Sequence, residues 1–146
     1  MGRKEQGDLA GVPMRDYAAG QTATLLRRLA FQANWAARRG DPESVHDLRV
    51  SIRRLGQCLR IFGQFFPRES EKKSQHRLRT VMDLASAVRD RDIAMELLAA
   101  ARIPSDSALV TVLSQERAGA ERALVARLER WRRRGYQVKW RSRLEL

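Results

Sequence analysis

Apolar residues recur along this chain at spacings of three and four and do not alternate over a strand's length, so the pattern predicts helices throughout. Helix one runs from about Met14 to Arg38, with Tyr17, Leu25, Leu29 and Ala36 among its inward positions. Gly40-Asp41-Pro42 breaks it: the glycine ends helix one, the aspartate caps helix two and the proline sits in its first turn. Helix two extends to Phe66, where Pro67 stops it, and carries Leu48, Ile52, Leu55, Leu59, Phe62 and Phe66 as a core-facing stripe. Helix three begins at Arg68 or Glu69 and gathers Leu78, Val81, Met82, Ala85 and Val88 on one face. It continues to about Ala101, with room for an interruption between Arg89 and Asp92. Pro104-Ser105-Asp106 forms the next turn, with Ser105 or Asp106 as the cap, and helix four spans Ser107 to Arg134 before Gly135 closes it. The last residues, YQVKWRSRLEL, are either a docked helical turn or a loose tail. Long helices joined by short turns imply an all-α, antiparallel up-and-down four-helix bundle. Residues 1–12 read as a flexible tail and 13–146 as a single helical domain.

Charge changes the picture most. The chain has 29 Lys+Arg against 17 Asp+Glu, a net charge of +12 on 146 residues, which attracts polyanions and says nothing about fold. A lone cysteine, Cys58, excludes an internal disulfide framework and is consistent with a reducing cytoplasm. No apolar run approaches the roughly 18 residues of a membrane span. The opening MGRKEQGDLAGVPM has neither the apolar centre of a signal peptide nor the usual myristoylation pattern. A cytoplasmic protein without a membrane partner is the expectation.

Catalytic patterns are missing: HExxH, CxxC, GxSxG and phosphate-loop glycines do not occur. Asp83, Asp90 and Asp92 are better read as neutralising nearby arginines than as holding a cation. His46 and His76 lack the further ligands a zinc site needs. The reading is of a non-enzyme with no metal and no cofactor.

The sharper signal lies on helix two. His46, Arg49, Arg53 and Arg60 fall within about a 60° arc, away from the apolar stripe. From Arg49 to Arg60 this helix carries no acid, whereas a solvated surface helix mixes signs to gain i,i+4 pairs. Guanidinium groups on one face suit phosphate oxygens, which they meet in bidentate pairs. Gly56 and Gly63 flank the stripe and predict close approach of another backbone or a ligand. Helix three adds Lys72, Lys73, His76, Arg77 and Arg79. In Arg89-Asp90-Arg91-Asp92 an aspartate either orients a functional arginine or joins a structural ion-pair network.

Helix four interleaves Arg117, Arg122, Arg127 and Arg130 with Glu116, Glu121 and Glu129, the pattern of a solvated face. Between Arg130 and Arg143 there are basic residues and no acid, with Trp131, Tyr136 and Trp140 among them. Those aromatics either stack on nucleotide bases or, as favoured here, close the bundle end or form a subunit contact.

VHDLRVSIRRLGQCLRIF, followed by LRTVMDLASAVRDRDI, resembles the CHAD family, the conserved histidine α-helical domains. The shared pattern is a valine-histidine pair, an arginine three residues on, a double arginine, an aromatic-containing helix end, and then an arginine-aspartate-x-aspartate element, here Arg89, Asp90 and Asp92. The resemblance covers about residues 20 to 135 and places His46, Arg49, Arg53 and Arg54 on the family's signature positions. Ala85-Ser86-Ala87 stands where the family often has double glycine or alanine-glycine, and keeps the residues small. The resemblance implies a helical module that binds inorganic polyphosphate through a basic cavity and is recruited to polyphosphate granules. The family fold has two similar four-helix halves about a pseudo-twofold, and this chain has room for one.

The expected polyphosphate ligands are therefore His46, Arg49, Arg53, Arg54, Arg60, Lys72, Lys73, Arg79 and Arg89. Nucleic acid is the alternative partner, with Trp131, Tyr136 and Trp140 as stacking residues, and a structural adaptor is the third reading. Isologous pairing would restore the twofold. A homodimer is expected, with the basic faces of helices two and three converging and Val50, Ile61 and Phe65 either in the contact or in the bundle's own core.

Overall fold

Glycine, proline and capping residues set the corners. The computed structural model describes residues 12–146, so the tail expected at residues 1–12 lies outside the described residues except for Val12. Helix α1 spans Met14–Arg39 and ends on Gly40, whose φ of 60° is the left-handed conformation that glycine tolerates best. A Cβ there would also collide with the Glu121 carboxylate. Asp41 accepts from the Ser44 amide at 3.1 Å and Pro42 opens α2, Pro42–Ile61. Bonding to Ser44 holds the Asp41 carboxyl below its ordinary range.

Helix two ends earlier than expected. After Ile61 the chain tightens into a 3-10 turn, Gly63–Phe65, and Phe66 is extended with ψ of 155°. The residue before a proline is pushed out of the helical region, so Pro67 breaks the helix before reaching it. Helix α3, Arg68–Ala100, is continuous, and the interruption allowed between Arg89 and Asp92 does not occur. Its end is followed by Arg102 at positive φ, and Ser107, rather than Ser105 or Asp106, caps α4 by accepting from the Val110 amide at 3.3 Å. Helix α4 spans Ala108–Arg133, Gly135 turns the chain at φ of 61°, and α5 covers Tyr136–Arg143.

Helices α1 to α4 form an antiparallel ring in chain order, with α1 meeting α2, α2 meeting α3 and α3 meeting α4 in close contact. The α1–α4 seam is the thinnest of the four. Leu26, Leu29, Leu48, Leu55, Leu59, Leu78, Val81 and Val88 fill the centre and are almost completely buried. Of the expected inward residues, Leu25, Phe62 and Met82 only lean on this core, and Tyr17 meets Phe62 edge-on at 6.0 Å. The last residues are folded, not loose: α5 docks across one end, with Trp140 and Leu144 each 1% exposed. No helix among the described residues is long and apolar enough to cross a membrane.

Candidate functional site

Arg117 shows what this fold does with a cation it needs. Its Nε donates to Asp92 at 2.7 Å, Nη1 to Glu121 at 2.6 Å and Nη2 to the Gly40 carbonyl at 2.5 Å. One guanidinium thus ties α3 and α4 to the α1–α2 corner. Burial opposes its charge, but the carboxylates of Asp92 and Glu121 outweigh that and raise its pKa. This corrects one expectation, since Arg117 and Glu121 do not form a solvated face, and decides between the two open readings of Asp92 in favour of a structural ion-pair network. Asp92 is 4% exposed and bonds no arginine of its own motif. Arg89 reaches Glu96 instead, at 3.5 Å.

The basic residues of α2 are held differently. His46, Arg53, Arg54 and Arg60 are exposed, Arg49 is half-buried, and none makes an ion pair among the described residues. The Nε of Arg49 is shielded from solvent without a partner. Leu48, Ile52, Leu55 and Leu59 anchor the opposite face in the core, so packing fixes which way this row points.

Two grooves flank α2. On the α3 side, Arg60, Lys72, Gln75 and Arg79 line an open groove of about 600 Å³, with Glu71 as its carboxylate. Gln75 donates to the Gly56 carbonyl at 3.0 Å and fixes the floor. Helical phase puts Arg49 and Arg53 on this same flank, with His46 at its crest. On the α1 side, Arg54 joins Arg27, Arg28, Gln32 and Phe31 around a groove of about 610 Å³, with Asp47 at its edge.

The structure therefore divides the expected set. Arg60, Lys72 and Arg79 come together directly. Arg54 belongs to the other groove, while Arg89 is engaged by Glu96. Lys73 points elsewhere: it lies about 100° round α3 from Lys72 and does not line the α2–α3 groove. The two glycines do not admit a neighbouring backbone either. A Cβ at Gly56 would meet Gln75 at 3.6 Å, and one at Gly63 would meet Glu71 at 3.6 Å, both ordinary side-chain contacts.

Arg27 and Arg28 were missed although α1 carries no acid from Tyr17 to Arg39, because they are two neighbouring cations rather than a row repeated along one face. Their signal was the i,i+3 and i,i+4 relation to Phe31, which places all three at one groove. Trp131, Tyr136 and Trp140 close the bundle end, with ring centroids 4.9 to 5.6 Å apart. Buried against one another, they are not a stacking platform. Phe31 and Trp35 are exposed and lie parallel, 6.4 Å apart, with the Arg39 guanidinium over the Trp35 ring.

Among the described residues, no group of three His, Cys, Asp or Glu is gathered closely enough to share a metal ion. No curated protein and no solved structure matches the chain. The CHAD domain family matches residues 22–145, which takes in α1 from Thr22 onward, α2, α3, α4 and the docked α5. The histidine-arginine row of α2 and the arginine-aspartate element of α3 thus sit inside a matched region that spans nearly the whole sequence, and the chain belongs to the CHAD domain family.

Proposed function

We propose that this protein binds inorganic polyphosphate without chemically altering it. The observation that supports this reading is the row of α2 cations without ion pairs among the described residues, flanked by basic grooves on both sides. A flexible chain with a charge on every phosphate favours an extended basic track over a compact pocket. Such a chain can lie against Arg60, Lys72 and Arg79, cross the crest at Arg53 and His46, and descend to Arg54, Arg27 and Arg28. Membership in a family associated with polyphosphate binding supports the same reading. A protein of this kind would collect on polyphosphate granules in the cytoplasm.

The site also fits pairing of two copies. One bundle presents one basic face, and a polyanion held between two such faces would offset their repulsion. Of the three apolar contact residues expected, Phe65 packs against the core and Val50 is half-buried in the α1–α2 groove, whereas Ile61 is 70% exposed. Light scattering with and without polyphosphate tests the pairing; a monomer under both conditions removes it and leaves binding untouched.

Nucleic acid remains the second reading because of Phe31 and Trp35, an exposed aromatic pair beside Arg27, Arg28 and Arg54. Base stacking on such a pair contributes about 1–3 kcal/mol per base. Competition at equal phosphate concentration separates the ligands. Polyphosphate should displace single-stranded RNA, and Trp35→Ala should weaken RNA alone. RNA displacing polyphosphate at lower concentration reverses the ranking.

A further inference from the structure

A second concentration of cations without ion pairs among the described residues lies away from α2. At the end where α5 docks, a cavity of about 350 Å³ is lined by Arg77 of α3, Arg127 and Arg130 of α4, Arg134, and Lys139 and Arg143 of α5. No carboxylate lines it, and none of these cations forms an ion pair among the described residues. It is smaller and more enclosed than either groove beside α2.

Three elements converge on this cavity, and each brings cations for a separate local reason. Arg77 lies on the α4 side of α3, on the opposite flank from Lys72 and Arg79. Arg127 and Arg130 follow the i,i+3 spacing on α4, and Gly135 folds α5 back so that Lys139 and Arg143 face them. Trp131, Tyr136 and Trp140 form the wall that holds the three together. The Tyr136 hydroxyl is shielded and unpartnered, an unmet donor in that wall.

We propose that this cavity is a second anion site, separate from the α2 track, that takes a compact cluster of phosphoryl groups of triphosphate size. Converging cations without counter-charge repel one another, and a multivalent anion in their midst removes that cost. A cavity near 350 Å³ lies at the small end of ligand sites, which favours a short oligophosphate over a long chain threaded through. Recognition is by charge, because Trp131 and Trp140 are 7% and 1% exposed and offer no free ring face. Arginine forks from different helices can each grip a different phosphoryl group.

Two of the three tryptophans, Trp131 and Trp140, line the cavity, so replacing Trp35 leaves fluorescence as a local reporter. In a Trp35→Phe background, inorganic tripolyphosphate should change that fluorescence in a saturable way. Arg130→Gln with Lys139→Gln should weaken the response about tenfold. Arg53→Gln with Arg60→Gln should leave it within about twofold, since those side chains lie at the other site. Arg77→Gln, on a different helix, should reproduce part of the loss, with circular dichroism confirming that every variant is folded. Adenosine triphosphate as a second probe separates a free oligophosphate from one carried on a nucleoside; the tighter binder names the source. No fluorescence response to either probe overturns the site. So does a response that survives the cavity variants or disappears with the α2 variants. Long-chain binding by the α2 track is read separately, by filter retention of polyphosphate, and stands or falls on its own.

Discussion

Arg117 and Arg53 are the same residue type in the same bundle, and their surroundings are opposite. Arg117 meets two carboxylates and a carbonyl at the α1–α2 corner, whereas Arg53 stands exposed on α2 with no counter-charge among the described residues. A guanidinium that holds helices together is satisfied within the chain. One that is left unsatisfied on a face fixed by core packing is free for a ligand. Stability and binding should therefore separate cleanly between the two regions.

The largest effect tests the corner. Arg117→Met strands Asp92, whose carboxylate is 3% exposed and whose Oδ2 already lacks a partner. Leaving a buried charge uncompensated costs about 3 kcal/mol, which should lower the melting temperature by roughly 10 °C. Asp92→Asn in the same background should recover part of the loss, because the stranded charge disappears. Polyphosphate affinity of the folded fraction should be unchanged. A melting temperature within a degree or two of the wild type would break the comparison at its structural end.

On α2 the expectation inverts. Arg49→Ala, Arg53→Ala and Arg60→Ala together should weaken long-chain polyphosphate at low salt by at least about tenfold. The slope of log affinity against log salt should flatten by roughly 0.7–0.9 for each phosphate that the variant no longer neutralises. Arg53 and Arg60 are exposed and Arg49 half-buried, so stability should move by less than about 1 kcal/mol. Calorimetry at two salt concentrations reads both quantities. Unaltered affinity would mean that the cations of α2 are a solvated face.

What was legible in the sequence follows the same division. Corners made by local chemistry were readable: Gly40-Asp41-Pro42, Pro67 and Gly135 all act where their side chains and backbone freedom require. The row on α2 was readable because one helix's periodicity generates it. The Arg117 corner was not: only Glu121 stands at a local i,i+4 spacing, while Asp92 and the Gly40 carbonyl come from distant parts of the sequence. Ser107 displaced Ser105 and Asp106 as the cap because the turn from Pro104, closed by the Ser107 amide on the Pro104 carbonyl, uses those residues first. The cavity under α5 depends on Gly135 and on burial of Trp140, a docking that local periodicity could not distinguish from a loose tail.

The α5 end gives a smaller effect, visible as a pH dependence. Burial raises the Tyr136 phenol above its ordinary value, so the folded chain holds it neutral where the unfolded chain ionises it. The resulting stabilisation is complete below about pH 10, the unfolded value, and is lost as pH rises above it. Thermal unfolding followed by tryptophan emission should thus shift downward above that pH. Tyr136→Phe should flatten the shift and, by removing an unpartnered hydroxyl, cost little at neutral pH. An identical alkaline profile in the variant would assign the shift to other groups.

The smallest effect compares two neighbours in sequence. Lys72 lines the α2–α3 groove with Arg60 and Arg79, and Lys73, one residue on, lies about 100° away round the helix. Both are exposed lysines in the second turn of α3, so helix propensity and net charge change equally when either becomes alanine. Only position differs. Lys72→Ala should weaken polyphosphate about threefold, in keeping with one charge-assisted hydrogen bond, and Lys73→Ala less than about 1.5-fold through the general field. Equal losses would show that the protein reads its ligand by net charge alone. A larger loss at Lys73 would move the track off the α2–α3 groove and onto the α4-facing flank of α3, which Lys73 shares with Arg77.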